Sequence, residues 1–178
     1  LLIVSCNQSN DWSGWRGANR DAKVVGFKAP ATWPTEMTKV WQQPVGLCDA
    51  SPVIAENKLY LHVKQEANEL AICLDEETGE QIWQTVLNPA PEVTGGPRNH
   101  PGPRSTPSIS NGKVFMLGAG GILSCVNAES GEIVWKNEDY TEVPQFFTAV
   151  SPLVIGNKCI VHLGGKDNGV IVAFNTED

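Results

Sequence analysis

The chain has 178 residues, with 13 Lys+Arg against 20 Asp+Glu and a formal charge of −7, which fits an acidic globular domain and excludes a basic nucleic-acid binder. Hydrophobic residues make up 41%, enough for a core, and no apolar run reaches the roughly 18 residues that span a bilayer. With 17 Gly and 12 Pro, turns are frequent and strands must be short, so an all-β fold is expected.

Residues 1–6 form a short apolar run that closes on Ser5-Cys6, the pattern at the end of a bacterial lipoprotein signal peptide. Cys6 is therefore expected to carry a lipid, the chain's one contact with a membrane, and the polar run Asn7 to Asp11 to begin a solvated extension over residues 7–38. The competing expectation is an N-terminal strand with a buried Cys. Cys48, Cys73, Cys125 and Cys159 are widely spaced beside apolar residues, which predicts buried free thiols rather than a zinc site.

From residue 39 the chain repeats itself. Ser51-Pro52, Thr106-Pro107 and Ser151-Pro152 are each followed, six residues after the Pro, by Lys58, Lys113 and Lys158. A turn pair precedes each Lys, and Asn111-Gly112 is the strongest hairpin signal among them. LAICLDEETGEQIW (70–83) matches ILSCVNAESGEIVW (122–135), with Gly79 and Gly131 four residues before Trp83 and Trp135. A third copy runs from Val170 to Asp178. Each unit reads as four short strands: one from Pro52, then Lys58 to Val63, Leu70 to Leu74 and Gln81 to Val86.

Four-stranded units of this period are β-propeller blades, and each must stack on its neighbours to cover two apolar faces. The expected domain is an incomplete propeller over 39–178, about two and a half blades. It divides into a closing strand at 39–45, blades at 51–88 and 106–140, and a partial blade at 151–178. Trp83 and Trp135 are the expected blade-docking residues, with Trp41 on the closing strand of the last blade. A β-sandwich is the alternative architecture, but its strands do not repeat the same residues at the same offsets.

The pattern Ala71…Asp75…Thr78-Gly79-Glu80…Trp83, repeated with Asn127, Ser130 and Gly131, resembles the tryptophan-docking motif of the quinoprotein, or PQQ-type, β-propellers. The opening Asp11-Trp12-Ser13-Gly14-Trp15-Arg16-Gly17 and the later Gly102-Pro103-Arg104-Ser105-Thr106-Pro107 are similar to exported PQQ-binding-like repeat proteins of bacteria. The resemblance implies a complete ring of about eight blades and a periplasmic or cell-envelope location, as in an outer-membrane lipoprotein. It also implies one of two roles. One is a ligand- or protein-binding scaffold, like the lipoprotein of the outer-membrane barrel-assembly machinery. The other is an alcohol or sugar dehydrogenase using pyrroloquinoline quinone (PQQ) and calcium. The adjacent Cys pair typical of the dehydrogenases does not occur here, which favours binding over catalysis.

In a propeller the loops into the inner strands gather at the channel mouth, the expected place for a ligand. Aligning on Pro puts Asp49, Arg104 and Ala149 at one equivalent position there, and the Pro-rich 89–105 loop adds His100. Arg104 is a candidate clamp for a carboxylate or phosphate, with His100 as donor or acceptor and Asp49 as neighbour. The structural alternative is an Arg104–Asp49 pair fastening two blades. Ser51, Thr106 and Ser151 should ring the same channel, while Glu76, Glu77 and Glu129 should be solvated turn residues. His62 and His162 stand at matching offsets, but Leu117 at the middle position argues against a metal pair. No catalytic residue and no metal ligand set is identifiable, and the expected partners are a small molecule or envelope proteins.

Overall fold

The computed structural model of the chain describes residues 11–140 and 142–178, so Cys6 lies outside the described residues. Strands β1 (Val53–Ala55), β2 (Lys58–Gln65), β3 (Asn68–Asp75) and β4 (Gln81–Pro89) form one antiparallel sheet in chain order. β5 (Ser108–Ser110), β6 (Lys113–Leu117), β7 (Leu123–Asn127) and β8 (Ile133–Asn137) form a second. β9 (Leu153–Ile155), β10 (Lys158–Leu163) and β11 (Val170–Asn175) form a third. The protein is all-β, built from propeller blades, and β5 lies beside both β1 and β9, which makes these three the inner strands.

Local chemistry explains the hairpins. Glu56 and Asn57 (φ 53° and 60°) and Asn111 and Gly112 (φ 50° and 69°) hold positive φ at both central positions, the geometry that matches strand twist. Apolar residues on the facing sides of neighbouring sheets then bury the sheets against one another. Val53, Tyr60, Ala71 and Cys73 of the first sheet meet Val114, Met116 and Val126 of the second. Phe115, Leu117 and Cys125 on the second sheet's other face meet Cys159, Val161 and Leu163 of the third. Cys73, Cys125 and Cys159 are buried free thiols and Cys48 is a half-buried one. Burial in this apolar setting pushes the Cys73 thiol up to about 11 and those of Cys125 and Cys159 to about 12.

The repeated motif works as a junction between consecutive blades. The Asp75 carboxylate accepts from the Thr78 N–H (2.8 Å) and hydroxyl (2.9 Å), and these bonds hold it below the usual carboxylate range. Asn127 repeats the turn through the Ser130 N–H (2.9 Å). These turns present Gly79 and Gly131 at φ 74° and 76° directly under an indole. A Cβ on Gly79 would lie 2.6 Å from the Trp41 ring, and one on Gly131 2.7 Å from the Trp83 ring. Trp41 Nε1 donates to the Glu76 carbonyl (3.0 Å) and Trp83 Nε1 to the Ala128 carbonyl (3.1 Å). Trp135 lies between Phe115 and Phe174 in tilted contacts (6.0 and 6.1 Å), and its Nε1 is buried without an acceptor among the described residues.

One expectation changes and another is extended. Residues 39–45 form no strand, because no strand lies beside them to complete a ladder among the described residues; the segment is held instead through Trp41 and by the Leu47–Lys64 bridge. Glu129 is not merely solvated: it pairs with Lys58 of the preceding blade, as Glu177 pairs with Lys113. The repeated Lys thus reaches across to the next blade's turn.

Candidate functional site

Residues 11–22 are not a free linker. Trp12 pairs its backbone with Ile54 beside β1 (2.8 and 3.1 Å), and Ser13 accepts from the Ile109 N–H of β5 (2.8 Å). The Arg20 guanidinium then donates to the Pro152 carbonyl ahead of β9 (3.0 Å). The segment therefore crosses the entry to all three inner strands.

A cavity of about 610 Å³ opens at this crossing. Asp49 and Ser51, Arg104 and Thr106, and Ala149 and Ser151 line it from equivalent positions ahead of the three inner strands, and Trp15 and Arg20 line it from the N-terminal segment. Ile160, His162 and Ile171 add one wall. They alternate with Val161, Leu163 and Val172, which face the second sheet, so this wall is the third sheet's opposite face.

Asp49 and Arg104 line this cavity together but form no ion pair with each other among the described residues. Both Asp49 carboxylate oxygens lie 3.1 Å from His100 Nδ1, an exposed pairing. Arg104 Nη2 donates to the His100 carbonyl, and its guanidinium carbon lies 5.9 Å from the centre of the Phe147 ring. Arg104 Nη1 is buried and has no acceptor among the described residues. The 89–105 loop is held against the first blade at Gly102, where a Cβ would lie 2.3 Å from the Leu47 carbonyl oxygen. Asp49 N–H donating to the Pro103 carbonyl (2.9 Å) fixes the same contact. The hydroxyl row is partly engaged, since Ser151 Oγ accepts from the Thr106 N–H (3.0 Å).

The arrangement can therefore present a half-buried guanidinium, not ion-paired among the described residues, to an anion beside hydroxyls. Of the expected site residues, Asp49 and Arg104 reach the cavity, and His100 stands behind them as their link. Trp41, Trp83, Trp135, Gly79 and Gly131 belong to the blade junctions. Sequence reasoning missed Trp15 and Arg20; the Arg20 partner is a backbone carbonyl, which leaves no side-chain pattern.

It also missed a buried polar cluster between the first two blades. Glu69 on β3 is fully buried; its Oε1 accepts from the Ala119 N–H (3.0 Å) and its Oε2 from Asn88 Nδ2 (3.1 Å). His62 Nε2 lies 3.7 Å from Oε2, and neither ring nitrogen has a hydrogen-bond partner among the described residues. Burial pushes the His62 pKa down to about 3, so the ring is neutral and this contact is not an ion pair at neutral pH. Burial also raises Glu69 above the usual carboxylate range, opposed by its hydrogen bonds. A Cβ on Gly118 would sit 2.2 Å from Glu69 Oε2, so the 118–121 turn closes on this carboxyl group.

Residues 31–178 match the sequence model of the family described as outer membrane protein assembly factor BamB. The chain is 27% identical over 147 residues to methanol dehydrogenase (cytochrome c) subunit 1 of Methylorubrum extorquens, covering 76% of this chain and 23% of that protein. It is 30% identical over 86 residues to polyvinylalcohol dehydrogenase of a Pseudomonas species, covering 43% of this chain and 14% of that protein. In structure it is similar to a europium-containing methanol dehydrogenase, with TM-score 0.52 and 20% identity over 71% of this chain and 22% of the other. A quinohemoprotein alcohol dehydrogenase from Pseudomonas putida HK5 gives TM-score 0.51 and 18% identity over 75% and 20%. The chain thus spans less than a quarter of the length of these curated relatives.

Proposed function

Since the chain belongs to the PQQ-like propeller family described as outer membrane protein assembly factor BamB, we propose that it forms part of a binding propeller whose channel mouth holds a small anionic ligand on Arg104. The observation that carries this reading is the Arg104 guanidinium, which lines one cavity with Ser51 and Thr106 and forms no ion pair among the described residues. A ligand carboxylate or phosphate oxygen supplies the opposite charge through a charge-assisted hydrogen bond. In a titration of the protein with acetate, followed by tryptophan fluorescence because Trp15 lines the cavity, Arg104→Gln weakens binding about tenfold or more. Equal acetate affinity in both proteins, or no binding by either, overturns the reading.

A cell-envelope location goes with this role. It is supported by the family description, which names an outer-membrane assembly factor, and by the apolar run ending at Cys6. A scaffold role toward other envelope proteins is favoured by Phe27 and Trp33, which stack on each other (6.3 Å) while 64% and 66% exposed.

The dehydrogenase reading is favoured by the names of the relatives, which are alcohol and methanol dehydrogenases. PQQ is a polycarboxylate, and Arg104 with its free donor fits one acidic group of such a molecule. Bound quinone would supply hydride acceptance, and this chain's residues would contribute only its anchoring. Calcium fits less well: among the described residues no three His, Cys, Asp or Glu side chains are grouped so as to hold a metal ion.

A further inference from the structure

The N-terminal segment that crosses the inner strands carries a second guanidinium into the cavity. Its path is fixed by a fold-back in which Gly17 N–H donates to the Gly14 carbonyl (2.9 Å), Arg20 N–H to the Gly17 carbonyl (3.1 Å) and Ala22 N–H to the Arg16 carbonyl (3.0 Å). Gly17 holds φ 81°, and a Cβ there would lie 3.0 Å from the Trp12 ring, so the turn is packed as well as bonded. Arg20 is thereby held at the third blade, with one N–H spent on Pro152. A guanidinium has five N–H donors, and burial already lowers the Arg20 pKa, a sign that its charge is poorly solvated.

The charges on the lining do not balance internally. Among the described residues, Asp49 is the one carboxylate there, and both its oxygens face His100. Neither Arg20 nor Arg104 is ion-paired among the described residues. Two guanidiniums, from segments of the chain far apart in sequence, line one small cavity with a hydroxyl row and no paired carboxylate.

We propose that Arg20 is a second anion-binding residue of this cavity, so that its ligand is a compact dianion with two separated acidic groups, one on Arg104 and one on Arg20. This rests on the reading of Arg104 as an anion anchor. It makes the N-terminal segment part of the binding site rather than a tether, and makes the spacing of the two acidic groups the specificity determinant.

The test compares acetate with succinate and glutarate by isothermal titration of the full chain at fixed ionic strength. The expected result is that at least one diacid binds about tenfold or more tighter than acetate. Arg20→Gln lowers the diacid-to-acetate affinity ratio about tenfold, whereas Arg104→Gln weakens acetate and both diacids. Arg20→Lys keeps a donor and the charge, and is expected to restore part of the preference; it also serves if Arg20→Gln impairs folding. If the diacid-to-acetate ratio is the same in wild type, Arg20→Gln and Arg20→Lys while Arg104→Gln still weakens acetate, the dianion inference falls and the Arg104 reading stands. If acetate binding does not depend on Arg104, both fall.

Discussion

Replacing Gly131 with alanine is expected to destabilise the protein by about 3 kcal/mol, read as a lower denaturant midpoint at unchanged m-value. Two costs coincide at this position. The residue sits at φ 76°, where an L side chain is strained, and its Cβ would lie 2.7 Å from the Trp83 ring. The indole cannot retreat freely, because its Nε1 is bonded to the Ala128 carbonyl and its ring lies 6.0 Å from that of Tyr60. Gly112 is the internal control. It has nearly the same φ, 69°, but nothing lies within 4 Å of its Cβ position. Gly112→Ala should therefore cost only the backbone strain, about 1–2 kcal/mol. If the two substitutions prove equally costly, the indole does not dock on Gly131 and the junction is misread.

Lowering the pH from 6.5 to 4.5 is expected to cost up to about 3 kcal/mol of stability through His62 alone. The folded-state pKa is depressed from 6.5 to about 3, so the unfolded chain takes up the proton first. The stability associated with the neutral ring is fully present above 6.5 and is lost steadily as pH falls toward about 3. Glu69 acts with the opposite sign: its raised pKa makes the folded state the better proton acceptor, so its contribution improves in acid and is lost as pH rises through its folded value. The Glu69 gain lies above 4.5, the same window, and partly masks the His62 slope in the wild type. His62→Leu isolates the effect, since a similar volume is kept and the titrating group removed. Denaturant midpoints measured across this range should fall more steeply with acid for the wild type than for His62→Leu. Parallel pH slopes would mean that His62 is solvated or bonded in the folded protein.

The blade pattern was legible because its cause is local. A turn with Asp75 or Asn127 as acceptor, a Gly with positive φ and a Trp four residues later all fall within one short stretch, so the residues that make the junction repeat together. The same logic placed Asp49, Arg104, Ser51, Thr106 and Ser151 around one opening, where they lie. What was hidden depends on which chain covers which. Glu69 reads as an ordinary charge at the start of a strand, and only the 118–121 turn of the next blade takes it out of water. Glu129 reads as a turn residue until the neighbouring blade brings Lys58 to it. The course of residues 11–22 has no period at all, because its contacts are made through backbone groups to Ile54, Ile109 and Pro152. The expected Arg104–Asp49 pair gave way to His100, which the flexible spacing of a Pro-rich loop places between them in a way that counting residues cannot resolve.

The binding of an anion at Arg104 is tested most directly by crystals of the protein soaked in bromide and measured at the bromine absorption edge. The expected result is an anomalous peak in the cavity within hydrogen-bond reach of the Arg104 guanidinium, absent in Arg104→Gln. A guanidinium found fully bonded to protein oxygens, with no bromide beside it, would contradict the proposed site.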